Sequence, residues 1–301
     1  MKKNSLYILF ALVLLMGGCK SGKNQEANFE KKERAPSTLV NVSRNIHEIL
    51  SNAEELEKLI DGTYIEEKSL SEEKEEKGHG SHGNKTESSQ GSSHGDSQQN
   101  QGENQNQQEE EKEKTLEEKK KEEEEKRQEK ITKSWQQMSE KIKNVHKDWN
   151  SYEVEEKKGS LSLEKIDLFR ASINNLTKAI EDKDIMKVYE YGSQSLLNIS
   201  PMFDLYKDDL GGDINRIMHG VYFAYLRFIE DKASEGIEVL SQLESHINNM
   251  KLKIGKDEDK IKIVDKVSAS IDEMENAMGS NSLKLIRIKK DIVVENLMEL
   301  E

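Results

Sequence analysis

The side chains best suited to chemistry sit in two short histidine motifs, Gly78-His79-Gly80-Ser81-His82-Gly83 and Ser93-His94-Gly95-Asp96. Neutral imidazoles are good ligands for zinc, copper and nickel, and Asp96 or Glu87 could add an oxygen. His79, His82 and His94 therefore form a candidate site for a weakly bound transition metal. Against this, closing a Gly-flanked chain around a cation costs entropy, and the spacing matches no strong zinc motif. The competing reading is a solvated linker.

Other candidates are weaker in kind. Met274 and Met278 stand at i,i+4, with Met250 and Met298 nearby in sequence, and thioethers can hold Cu(I). Methionines at helical spacing more often fill a core. Trp135 and Trp149 are two heptads apart and share a helix face, which could line a ligand groove or a partner surface; core packing is the favoured alternative. His146 and Asp148 point to different faces of a helix, and His47, His219 and His246 are isolated. The sequence contains no phosphate-binding Gly loop, no His-Glu-x-x-His, no Gly-x-Ser-x-Gly and no cysteine placed as a nucleophile. The expectation is a protein that binds rather than catalyses, with no resident cofactor.

The elements that must carry these residues begin with an N-terminal segment. Lys2 and Lys3 precede an apolar run from Leu6 to Met16 that ends in Gly17, Gly18 and Cys19. Eleven helical residues rise only about 16 Å, too short for a hydrocarbon core of about 30 Å, so the run reads as a signal peptide over 1–18. Leu-Met-Gly-Gly-Cys19 resembles the lipobox of bacterial lipoproteins, with Met16 where Leu usually stands. The resemblance implies that the Cys19 thiol carries diacylglycerol and becomes the new N-terminus, and that the protein sits on the extracytoplasmic face of the cell membrane. Two or three acyl chains anchor stably where one does not. Cys19 is the sole cysteine, so the mature chain would hold no disulfide and no Cys-based zinc site.

Residues 19–36 read as a polar tether. An apolar stripe at Val42, Ile46, Ile49, Ala53, Leu56 and Ile60, spaced 4, 3, 4, 3, 4, predicts an amphipathic helix over 37–61, capped by Ser37 or Thr38 and stopped at Gly62. Residues 62–130 are low in complexity and acidic, with disorder passing into a charged helix from Glu109 to Lys130. As a random coil, Glu66–Gln108 would span about 35 Å. A matching stripe returns at Ile131, Trp135, Met138, Ile142, Val145 and Trp149, which predicts that the two helices pack together across that long excursion.

Further stripes follow to the C-terminus. Ser200-Pro201 predicts a helix start, Gly211-Gly212 a break with Asp213 capping the next helix, and Ala233–Met250 one continuous helix. No run alternates with period 2, so residues 131–301 read as an all-α domain of seven or eight helices, either a bundle or a short superhelix of antiparallel hairpins. The segment from Trp149 through Leu205, with Asn174-Asn175-Leu176-Thr177 and Lys183-Asp184-Ile185, is similar to the C-terminal helical domain of uncharacterised lipoproteins from low-GC Gram-positive bacteria. That resemblance implies an architecture and a compartment but no reaction.

Charge narrows the partners. With 59 acidic and 46 basic side chains, a net charge of −13, the chain is no match for nucleic acid, and an anionic lipid surface repels it. Membrane contact is expected through the lipid, and the helical domain is expected to meet a protein partner. The alternatives are metal handling through the His-rich linker, or small-molecule binding in a groove between C-terminal helices.

Overall fold

The computed structural model describes residues 32–62, 116–155 and 162–300. The described residues are all-α, and nine helices among them lie in one compact unit, Glu33–Glu301. They are α1 Ser37–Asp61, α2 Leu116–Glu155, α3 Leu163–Glu181, α4 Ile185–Phe203, α5 Gly211–Ile229, α6 Ala233–Gln242, α7 Glu244–Ile254, α8 Glu258–Ala277 and α9 Leu283–Met298.

The stripe of α1 is buried as its spacing requires: Leu39, Val42, Ile46, Ile49, Ala53 and Leu56 are all sealed from solvent. Ile60, in the last turn, is the exception at 46% exposed, while Leu59 beside it is buried. Gly62 ends the helix at φ 76°, a left-handed conformation that glycine adopts without strain. The start differs from expectation. Pro36 occupies the cap position without a side-chain bond, and the Thr38 hydroxyl instead donates to the Glu155 carboxylate at 3.1 Å.

That contact is one of three that set α1 antiparallel to α2. Glu48 pairs with Lys141, and Arg127 donates to the Ile60 carbonyl at 3.3 Å. The two helices do pack together, and α1 meets α2 more extensively than any other element. From Leu116 onward, the charged run and the returning stripe are one continuous helix. Its first eleven residues extend about 16 Å past the end of α1, with Lys126 paired to Glu122 one turn away.

The remaining helices stack largely in chain order, α7 following α6 after the single residue Leu243. Ser162, Asp184, Asp257 and Ser282 cap α3, α4, α8 and α9 by accepting backbone N–H bonds three residues on. Helix α4 lies between α3 and α5 and also receives α1; α5 touches α6, α7 and α9; α8 closes the stack against α9. One contiguous apolar core runs from Ala35 to Leu300.

Three local expectations are corrected. Pro201 lies in the last turn of α4, not at a helix start: the Ser200 hydroxyl donates to the Leu196 carbonyl, and burial of Ile199, Met202 and Phe203 keeps the turn helical on both sides. Gly211 and Gly212 open α5 instead of breaking the chain. Asp213 is the third residue of that helix and does not cap it; the Asp209 carboxylate accepts from the Gly211 N–H at 2.8 Å. Finally, Ala233–Met250 is divided at Leu243 into α6 and α7.

Candidate functional site

Alongside its apolar stripe, α1 carries a second stripe offset by one residue: Ser43, His47, Leu50, Glu54, Glu57 and Asp61, again spaced 4, 3, 4, 3, 4. Every member meets α4, α5 or α9. Ser43 Oγ and His47 Nε2 each lie 2.9 Å from Asn215 Oδ1 on α5. Leu50 fits over Gly192 of α4, where an added Cβ would fall 2.7 Å from its Cδ2. The three carboxylates then enter a trough of tyrosines and cations.

Glu57 accepts from Tyr189 of α4 at 2.9 Å, from Tyr225 of α5 at 2.5 Å and from Arg287 of α9 at 2.9 Å. Asp61 accepts from the same guanidinium at 2.5 Å. Glu54 accepts from Tyr222 at 2.8 Å and from Lys290. The Lys290 ammonium is fully buried, stands 5.2–5.6 Å from the centroids of Tyr189, Tyr222 and Tyr225, and donates to Asp291 at 2.6 Å. Asp291 also pairs with Lys58 of α1 at 2.9 Å. The box is braced by its own rings, Tyr189 and Tyr222 stacking at 5.3 Å and Tyr189 meeting Tyr225 edge-on at 6.0 Å.

Electrostatics follow from burial. Desolvation pushes the Glu54 carboxyl up, and Asp291 adds to this, while Lys290 and Tyr222 pull it back. Burial and the neighbouring carboxylates push the phenols of Tyr189, Tyr222 and Tyr225 up, so all three remain hydrogen-bond donors at neutral pH. Such a group of donors recognises carboxylates; it does not supply a nucleophile.

A second polar cluster joins α5 to α7. Asp213, 2% exposed, accepts from Lys253 at 2.7 Å and lies 3.1 Å from His246 Nδ1, while Lys253 also donates to the Asp209 carbonyl. Burial pushes Asp213 up, but the bonds from His246 and Lys253 outweigh it and hold the carboxyl below its ordinary value.

The sequence-predicted site residues are dispersed. Cys19, His79, His82 and His94 lie outside the described residues. Trp149 is 4% exposed and packs on Phe169 at 4.4 Å and Tyr152 at 5.6 Å, so it presents no partner surface. Trp135 is also buried but borders an open depression of about 570 Å³ with Thr132, Gln136, Ser139, Lys143 and Ile180. Met250, Met274 and Met278 are core, and Met298 is partly exposed. His146 meets the Thr177 hydroxyl at 2.8 Å, not Asp148. Among the described residues no group of three or more His, Cys, Asp or Glu is arranged to hold a metal, and no helix is long and apolar enough to cross a membrane. Sequence reasoning missed the trough, although the repeat of the 4, 3 spacing one residue along α1 was available to find it.

Comparison with known proteins returns no matching family model, no matching curated protein and no matching solved structure.

Proposed function

We propose that this protein is a lipid-anchored extracytoplasmic binding protein, non-enzymatic, whose helical unit recognises a protein partner. The observation behind the binding reading is the trough, whose donors on α4, α5 and α9 hold one face of the chain's own α1 by matching its carboxylates, a mode of helix recognition that a partner helix could also use. The anchor rests on Leu-Met-Gly-Gly-Cys19. Chain connectivity is compatible with it. The segment after Cys19 joins α1 at Ser37, whereas the His-bearing segment leaves at Gly62, about 37 Å along the same helix.

The anchor is tested by the mass of the mature N-terminus and by fractionation. The expected result is diacylglyceryl-modified Cys19 in the membrane fraction and release of Cys19→Ser into the surroundings. An unmodified thiol or an uncleaved leader overturns the localisation. The binding reading is tested by photo-crosslinkers placed around the helical unit of the anchored protein on intact cells; discrete adducts are expected, and adducts no different from those of an unrelated anchored helical protein overturn it.

The clustering of His79, His82 and His94 favours metal handling as a second reading. Titration with zinc, copper and nickel separates it from the first. Equal affinity in the parent and in a triple His→Ala variant removes the segment from consideration.

A further inference from the structure

The trough on α4, α5 and α9 is built as a receptor for a helix. Its donors come from three elements, and what they read is a pattern: Glu54, Glu57 and Asp61, at i, i+3 and i+7, on a helix whose adjoining face is apolar. Two further features lengthen the footprint toward the start of α1. Asn215 meets Ser43 and His47, and Gly192 admits Leu50. The whole footprint covers five turns.

What fills the trough is separated from it by a long stretch of sequence. Helix α1 ends at Asp61 and α2 begins at Leu116, with residues 62–115 between them. Helix–helix connections in bundles normally take 2–8 residues, and a chain of this length can extend to roughly 170 Å. Nothing in the connectivity therefore requires the α1 that occupies a trough to belong to the same copy. Every contact that the occupant makes with the trough, as described above, comes from an α1 side chain.

We propose that the trough is a docking site for an acidic amphipathic helix, and that its second occupant is the α1 helix of another copy of this chain, giving a reciprocally exchanged pair. The inference rests on reading the helical unit as a binding module and is independent of the lipid anchor. A tethered helix stays at an effective concentration on the order of millimolar, so the closed single copy prevails in dilute solution. Exchange takes over where copies crowd to a similar density, or where the resident helix is weakened. Charge complementarity favours the observed register, since a shift of one turn would leave at least one of the three carboxylates without its donors on Tyr189, Tyr225, Arg287 and Lys290.

Two full-length variants test this directly. In Glu54→Lys/Glu57→Lys the resident helix is reversed and the trough is intact; in Arg287→Glu/Lys290→Glu the helix is intact and the trough is reversed. Each alone faces like charge, and each is expected to melt below the parent. Mixed one to one, each trough finds a complementary helix on the other copy, so a heterodimer in light scattering and a rise in melting temperature towards the parent are expected. A mixture that stays monomeric and melts as the sum of its parts overturns the proposal.

Because either variant could be unable to fold, a milder arm accompanies it. A fluorescent peptide spanning Ser37–Asp61 is titrated into the parent and into Glu54→Gln/Glu57→Gln, whose helicity is checked first. At least tenfold tighter binding to the variant is expected. Equal binding to both folded chains means the trough is closed to helices in trans and sinks the idea, whereas failure of the cell-surface crosslinking would sink the binding reading instead.

Discussion

Lys290 is a fully buried ammonium that sits inside three tyrosine rings and against Glu54. Removing one partner of such a pair strands the other charge, so Lys290→Met should cost about 3–5 kcal/mol in urea denaturation. Adding Glu54→Gln should return more than about 1 kcal/mol of that loss, and strict additivity of the two changes would refute the pairing. His219 gives a pH test. Burial pulls its imidazole down to about 4, against a contact with the Ser193 backbone that raises it. The unfolded imidazole takes a proton below about 6.5. Between those values the unfolded chain binds more protons, so stability falls on acidification, by up to about 3 kcal/mol at pH 4. Glu54, with its raised carboxyl, works in the opposite sense, and the measurement is therefore the difference between parent and His219→Gln: calorimetry should show the parent losing more stability from pH 6.5 to 4. Asp213 acts in a separate window, its depressed carboxyl contributing stability above about pH 3.8 that is lost only as pH falls through its lower folded value. None of these roles was legible in the sequence. His47, His219 and His246 read as isolated because a helix brings together only residues three or four apart, whereas Asn215 lies 168 positions from His47.

At the scale of elements, the sequence was most informative where burial alone decides. The paired stripes of α1 and α2 predict both helices and their mutual packing across the long intervening segment, since each must hide its apolar face. The second stripe of α1 has the same spacing but mixes Ser, His, Leu, Glu and Asp, so a reading keyed to hydrophobicity passes over it. Pro201 and Asp213 depart from their local signals for a related reason: capping preferences weigh about 1 kcal/mol, less than burying Met202 and Phe203 or satisfying Lys253 and His246. Close helix approach is another element-scale property. A Cβ on Gly236 would lie 2.4 Å from the Met278 methyl and 3.1–3.3 Å from the Ala224 backbone. The methionine can move, but the backbone of α5 cannot without widening the α5–α6 crossing. Gly236→Val should therefore cost about 1–3 kcal/mol in thermal unfolding. Gly62→Asn is the control, a left-handed site with nothing within 4 Å, and should cost less than about 1 kcal/mol. Equal losses at the two sites would mean that the crossing is not tightly packed.

For the molecule as a whole, the all-α class follows from helical spacing and the lack of any period-2 run, but the closure of the stack does not. Arg287 reaches Glu57 across 230 positions, and no local pattern announces a contact between the first and last of the described helices. That closure has a cooperative consequence. One apolar core spans every helix from α1 to α9, so helicity and tryptophan emission should be lost together in denaturant, as a single transition. Trp135 and Trp149 both lie on α2, the helix that packs most extensively on α1, and so report on that side of the stack. Weakening the resident helix should divide the transition. In Glu54→Lys/Glu57→Lys the like charges of Arg287 and Lys290 oppose α1 while the contacts of α3 through α9 are untouched, so emission should shift at lower denaturant than the bulk of the ellipticity. Coincident curves in that variant would mean that α1 leaves only when the entire core unfolds, and that no copy can surrender its first helix to another while remaining folded.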